Sequence, residues 1–268
     1  MGKLVPPFTC MGGKFNIAKH IAPHVLAKAD NNIYVEPMAC GAAVLYEVHN
    51  HFDILVLGDK DEHIVNVYRV MADEEMCDRL VDMLHRTPYA RAEFERATDI
   101  LSSPMEESPS LLHAWAYIVF RRQSHGANNI RTTWTSTTKR NFPNTFHKAA
   151  DHLHIYASII RKTYIDNRDV FYIVQKYDSP RTTFYIDPPY IPDTRVDTRQ
   201  YKHEFTTEDH ERLAVLLATT QGHVVLSSYQ HPIYDVLGWE LVKINTRASS
   251  SPRGNARRTE ALYIKPHT

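Results

Sequence analysis

The residues best suited to chemistry are Asp187-Pro188-Pro189-Tyr190, directly after the apolar run Thr182–Ile186. An apolar run of that length, bounded by a turn, reads as a buried strand. Two consecutive prolines stiffen the backbone and remove two N–H donors. What remains is acceptor-rich: the Asp187 carboxylate and the Pro188 carbonyl, beside the flat ring of Tyr190. Such a corner suits a planar ring carrying an amino group, because both amine hydrogens are accepted while the ring stacks on the tyrosine. An aromatic amine is a poor nucleophile, since its lone pair is delocalised into the ring. Drawing on both N–H bonds makes the nitrogen more tetrahedral and frees that pair. Taken without context, the same tetrapeptide is a proline-rich turn with a capping aspartate.

The flanking elements explain how such a corner is held. Ile17, Ile21, Val25 and Leu26 keep near-helical spacing within a helix expected over Phe15–Ala29. Ile33–Val35 reads as a short buried strand that runs through Glu36 and Pro37 into the small-residue turn Met38-Ala39-Cys40-Gly41-Ala42-Ala43. A helix over Ala42–His49, a strand over Phe52–Leu57 ending at Gly58-Asp59, and a helix with Ile64, Val67, Val70 and Met71 on one face follow. Strand, small-residue turn, helix, strand and acid open a doubly wound α/β sheet, where ligands bind at the carboxyl ends of the strands. The rhythm breaks over Asp73–Phe146, with an amphipathic helical stretch (Met76, Leu80, Met83, Leu84), a mostly apolar helix over Leu111–Phe120, and a polar Thr- and Asn-rich segment. It resumes with a helix over Asn144–Ile160, strands over Lys162–Ile165 and Thr182–Ile186, helices over Val170–Tyr177 and Thr206–Thr220, and strands over His223–Leu226, Glu240–Ile244 and Ala261–Ile264.

The chain has 268 residues, 31 basic and 31 acidic, so its net charge is zero. Charge is nevertheless uneven. No Asp or Glu occurs from Ser108 to Ala150, a stretch carrying Arg121, Arg122, Arg131, Lys139, Arg140 and Lys148 with Trp134 and Phe142 between them. From Leu241 onward Glu260 is the lone acid among Lys243, Arg247, Arg253, Arg257, Arg258 and Lys265. Two such segments fit either convergence on one polyanion or two solvated basic loops. Mean hydropathy is −0.41. No apolar run approaches the ~20 residues of a membrane helix, and the start lacks the apolar core of a secretory signal. Cys10, Cys40 and Cys77 are expected as reduced thiols in a cytoplasmic protein, and the histidines form no metal-ligand spacing.

The motifs, taken together and in order, resemble the Dam-type (D12 class) DNA adenine-N6 methyltransferases. Met11-Gly12-Gly13-Lys14, Val35 through Val44, Leu57-Gly58-Asp59-Lys60-Asp61, Ile165-Asp166-Asn167-Arg168-Asp169-Val170 and Tyr185 through Tyr190 match the family's motifs over nearly the whole chain. The resemblance implies a Rossmann-like methyltransferase sheet with an inserted, mainly helical DNA-recognition domain. Residues 1–72 and 144–268 would form the catalytic domain and 73–143 the target-recognition domain. It implies S-adenosylmethionine as methyl donor and double-stranded DNA as partner, with a flipped adenine as target. Asp187, Pro188, Pro189 and Tyr190 would be catalytic. Lys14, Glu36, Pro37, Met38, Ala39, Cys40, Gly41, Asp59, Asp169, Val170 and Asp187 would bind the cofactor. Arg121, Arg122, Asn129, Arg131, Lys139, Arg140, Arg253, Arg257 and Arg258 would meet DNA. The chain departs from the family pattern in three places, one of them Met38, where relatives often carry Phe. Cys10 stands where relatives carry an aromatic, a contact that Phe8 could supply, and Cys40 stands where relatives often carry Gly. The same chemistry on RNA adenine or cytosine N4, or a catalytically idle DNA-binding homologue, are the alternatives. A monomer in a bacterial or phage-infected cell, with no metal and no membrane contact, is expected. The recognition sequence and a restriction partner are not encoded in readable form.

Overall fold

The computed structural model describes residues 4–124, 133–194, 203–247 and 257–266. In chain order the elements are α1 (Ala18–Val25), β1 (Ile33–Glu36), α2 (Leu45–Val48), β2 (Ile54–Gly58), α3 (Glu62–Ala72), α4 (Glu74–Arg86), α5 (Arg91–Ser102), α6 (Leu111–Gln123), α7 (Phe142–Asp151) and α8 (Leu153–Ile160). They continue with β3 (Thr163–Asp166), α9 (Val170–Tyr177), β4 (Thr182–Ile186), α10 (Thr207–Thr219), β5 (His223–Ser228), α11 (Pro232–Asp235), β6 (Glu240–Arg247) and β7 (Arg257–Ile264).

The strands form one seven-stranded sheet in the order β3-β2-β1-β4-β5-β7-β6. Strands β1 to β5 are parallel, and β7 enters antiparallel between β5 and β6. This is the Rossmann-like α/β sheet the motif order implies. The chain winds outward in opposite directions from β1 and β4, which pair with each other, so the switch point lies between their carboxyl ends. The end of β1 leads into Glu36-Pro37 and the end of β4 into Asp187.

Alternation along the strands separates two cores. Tyr34, Leu55, Leu57, Tyr185, Val225 and Leu262 face one cluster with α1 and α3. Val35, Val56, Phe184, Ile186, Val224 and Leu226 face the other, with Val170, Ile173, Leu213 and Leu217 from α9 and α10. Among the described residues, α4, α5 and α6 share their core with the sheet. Cys77, Leu80, Phe94 and Trp115 through Phe120 belong to the same cluster as Val67, Tyr68 and Leu57. The Thr206 hydroxyl accepts from Asp209 N and the Asp209 carboxylate from Thr206 N, a reciprocal cap that starts α10 and is worth about 1 kcal/mol.

Several boundaries differ from the sequence expectation. The first helix is shorter at both ends, because Lys14–Asn16 forms a separate 3-10 turn and the α-helix begins at Ala18. The helix expected over Asn144–Ile160 is two helices broken at His152, whose Nδ1 accepts from Val5 N at 2.8 Å. Strand β7 begins at Arg257, four positions earlier than the apolar run indicates, so Arg257 and Arg258 pair with Arg247 and Thr246 on β6. The apolar pattern marks only Ala261–Ile264, the part of β7 that also pairs with β5.

Candidate active site

Lys14 is the hub of the strand-end crevice. The 3-10 turn that begins with it buries its side chain to 5% exposure. Its Nζ donates to Asp187 Oδ1 at 2.7 Å and to Gly12 O at 2.9 Å, and lies 3.4 Å from Glu260 Oε1. Glu260 is buried on β7 and accepts from Ser227 Oγ at 2.7 Å and Tyr190 Oη at 3.1 Å. Five remote positions, Lys14, Asp187, Tyr190, Ser227 and Glu260, are thereby tied into one polar network. Burial alone disfavours the Lys14 ammonium, but Asp187, Tyr190 and Glu260 hold it well above its ordinary pKa. Burial pushes the Asp187 carboxyl up to about 6, with Lys14 pulling it down and Glu260 pushing it up. Above that pH Asp187 is ionised, and among the described residues only its Oδ1 is engaged.

Tyr190 is almost wholly enclosed, with one face covered by a second ring. Its ring stacks on Tyr229 with centroids 4.2 Å apart and planes 8° apart. On the Gly12 side, a Cβ added at Gly12 would sit 3.2 Å from ring atom Cε2, and Gly12 has φ +71°. Glycine serves that position both for its backbone angle and for the close approach. Tyr190 is 9% exposed. The open stacking face expected from the sequence is therefore occupied by protein in this structure.

The network opens on a cavity of about 290 Å³, at the lower end of small-ligand pockets. Of the expected cofactor residues, Lys14, Pro37, Met38, Cys40, Asp59, Asp169, Val170 and Asp187 line it, as do Pro188, Pro189 and Tyr190. Glu36, Ala39 and Gly41 do not. The Glu36 carboxylate is 3% exposed and accepts from Tyr34 Oη at 2.8 Å and Leu45 N at 3.2 Å, so it braces the turn from behind. Burial raises its pKa to about 8 against those two bonds. Asp59 takes Cys40 N at 3.0 Å on one oxygen and Asp61 N at 2.9 Å on the other. Burial raises it to about 6. Each of its oxygens keeps a second lone pair for a hydroxyl donor. Asp169 caps α9 by accepting from Tyr172 N at 2.9 Å while also lining the cavity. Phe171, Phe205 and Arg212 complete the far wall, and Arg212 lies 3.9 Å from the Phe171 ring centroid.

Two expectations need correction. Cys10 and Cys40 are joined in a disulfide, and only Cys77 of the three cysteines is free. The amino-terminal segment crosses over the β1 turn, a contact that sequence spacing does not reveal. Phe8 does not replace the missing aromatic, because it is 2% exposed and packs edge-on against Tyr117 at 5.3 Å.

The basic residues divide. Arg121, 3% exposed, donates to Thr9 O at 2.8 Å, while Thr9 Oγ1 donates to Arg121 O at 2.8 Å. Arg122 donates to Pro7 O at 3.2 Å and to Pro6 O, and burial lowers its pKa to about 10. Both arginines fasten the amino-terminal segment to α6 instead of projecting into solvent. Arg121 also lines the cavity. Lys139 and Arg140 are exposed. Arg257 and Arg258 lie on β7, whereas Asn129, Arg131 and Arg253 fall outside the described residues. Among the described residues no helix is long and apolar enough to cross a membrane, and no group of three metal-ligating side chains occurs.

The sequence reading missed Glu260 as a member of the polar network and Tyr229 as the ring stacked on Tyr190. Glu260 left one signal, its isolation as an acid in a basic tail. Tyr229 left none beyond its position after an apolar strand.

The family model described as D12 class N6 adenine-specific DNA methyltransferase matches residues 11–237. The type II methyltransferase M.CviBI of Paramecium bursaria Chlorella virus NC1A is 24% identical over 223 residues, which span 80% of this chain and 79% of that protein. A solved structure of the rRNA methyltransferase aviRa from Streptomyces viridochromogenes aligns with a TM-score of 0.42 at 10% identity, covering 98% of this chain and 90% of that one.

Proposed function

The chain belongs to the D12 class N6 adenine-specific DNA methyltransferase family, and from that premise we propose that it moves the methyl group of S-adenosylmethionine to N6 of an adenine flipped out of double-stranded DNA. The observation that carries this reading is the position of Asp187-Pro188. Its carboxylate and carbonyl stand at the switch point of the sheet, held by Lys14, on a cavity shared with the β1 and β2 ends.

The donor set of the cavity suits the methyl donor. Asp59 at the end of β2 retains lone pairs for a ribose diol, and Ile64, Val170, Phe171 and Phe205 offer apolar wall to an adenine. Asp59, Asp61, Asp169, Asp187, Glu204 and Asp209 outnumber Lys14, Lys60, Arg121 and Arg212 in the lining, a balance that suits a ligand carrying a sulfonium. When bound, the sulfonium supplies an electrophilic methyl group.

The chain's own residues then position the amine. A target base inside a duplex is out of reach, and extruding it costs a few kcal/mol. Lys14 occupies Asp187 Oδ1, which leaves the other carboxylate oxygen for one N6 hydrogen and the Pro188 carbonyl for the second. Two acceptors fix the direction of the nitrogen lone pair, so catalysis rests on alignment and electrostatics. The methylated ammonium is strongly acidic and loses its surplus proton without a strong base. Residues 73–143 form the recognition region in this reading, and exposed Lys139 and Arg140 meet phosphates.

The test is transfer of a tritiated methyl group into unmethylated DNA by the wild type and Asp187→Ala, followed by nucleoside analysis. N6-methyladenine is expected, with a loss of about 100-fold or more in the variant. Equal incorporation by the two proteins overturns the mechanism. Label in N4-methylcytosine, or in RNA alone, overturns the substrate.

A further inference from the structure

We propose that Tyr229 holds the seat of the target base and leaves it when the base enters. The inference rests on the function proposed above. An adenine presented to Asp187 and Pro188 needs a face of Tyr190, and that ring is almost wholly enclosed. Its Cε2–Oη edge meets Gly12, which is held in place because Lys14 Nζ clamps Gly12 O and Asp187 together and Gly13 N donates to Cys10 O at 3.1 Å. One face carries Tyr229, with ring planes 8° apart, and the whole residue is 9% exposed. The ring pair has the offset-parallel geometry a purine would take on the same tyrosine.

Tyr229 is also the partner that can leave. It lies just past the end of β5, in the short Tyr229-Gln230-His231 connection to α11, and is half-buried. Among the described residues its hydroxyl makes no hydrogen bond, whereas the Tyr190 hydroxyl is anchored on Glu260. Swinging Tyr229 out therefore breaks one aromatic stack and no polar bond. The incoming base restores an equivalent stack on Tyr190. The tyrosine thus seals the catalytic corner in the resting enzyme, and DNA binding must work against its release.

The experiment measures kcat and KM for unmethylated genomic DNA with wild-type enzyme, Tyr229→Ala, Tyr229→Leu and Tyr229→Phe. Removing the ring is expected to lower KM for DNA about two- to tenfold, the equilibrium equivalent of one aromatic pair, with kcat held or raised. Tyr229→Leu keeps bulk without a stack and should follow Tyr229→Ala, and serves where the smaller side chain impairs folding. Tyr229→Phe keeps the stack and should track the wild type. A raised KM in Ala and Leu that Phe rescues would make Tyr229 a stacking partner of the base and overturn the proposal. Unchanged kinetics in every variant overturn it equally. A wild type inactive on all DNA removes the functional reading itself, and the seat with it.

Discussion

Glu260→Gln is expected to move the acid limb of methyl transfer to lower pH. Glu260 and Asp187 share one ammonium, Lys14 Nζ, at 3.4 and 2.7 Å. Their nearest oxygens are therefore no more than about 6 Å apart, where two unit charges at an effective dielectric constant of about 20 repel by roughly 3 kcal/mol. That repulsion is one of the influences that raise Asp187 to about 6. The amide is nearly isosteric and keeps hydrogen-bonding groups for Ser227 and Tyr190, so it removes charge with little change of shape. Among the described residues Asp187 is then the one carboxylate within reach of Lys14 Nζ, and it stays ionised to lower pH. The limb should fall by about one to two pH units. The assay is single-turnover methyl transfer from pH 4 to pH 8 at saturating donor and DNA, with a thermal melt at each pH to confirm the fold. A merely structural Glu260 would lower the whole curve without moving its limb. An unmoved or upward-shifted limb refutes the reasoning.

Glu36 makes stability depend on pH in the direction opposite to a salt-bridged carboxylate. Its folded pKa of about 8 lies above its ordinary 4.5. Stability is therefore full below pH 4.5, is lost as pH rises to about 8, and is level beyond. Glu36→Gln, whose amide oxygen still accepts from Tyr34 and Leu45, should melt with the wild type at pH 4.5 and exceed it at pH 9 by about 3–5 kcal/mol. Arg122→Ala should lower the melting temperature by the equivalent of about 1–3 kcal/mol and leave the salt dependence of DNA binding unchanged. Joint replacement of Lys139 and Arg140 by Ala should reduce the log–log salt slope by about two without affecting the melt. A steeper loss of salt dependence in Arg122→Ala than in the double variant would reverse those assignments. Thiol titration of the unfolded chain should give one thiol before reduction and three after, since Cys10 and Cys40 are paired.

What was legible in the sequence is what local chemistry determines. Thr182–Ile186 and Val170–Tyr177 fall where apolar spacing and flanking turns put them, because a short buried strand and a capped amphipathic helix each carry their own boundaries. The place of Asp187-Pro188-Pro189 directly after β4 was readable for the same reason, because two prolines restrict their own backbones and that of the residue before them. What the sequence does not show is contacts across the fold. Arg121 and Arg122 look like a basic patch in one dimension, and nothing local shows that the carbonyls of Pro6, Pro7 and Thr9 lie against them. Tyr190 looks open until the end of β5 brings Tyr229 over it. Glu260 enters the site because β7 inserts antiparallel beside β5, placing Leu262 against Ser227 and leaving Glu260 within reach of Ser227 Oγ. Strand register across that distance has no signature in spacing.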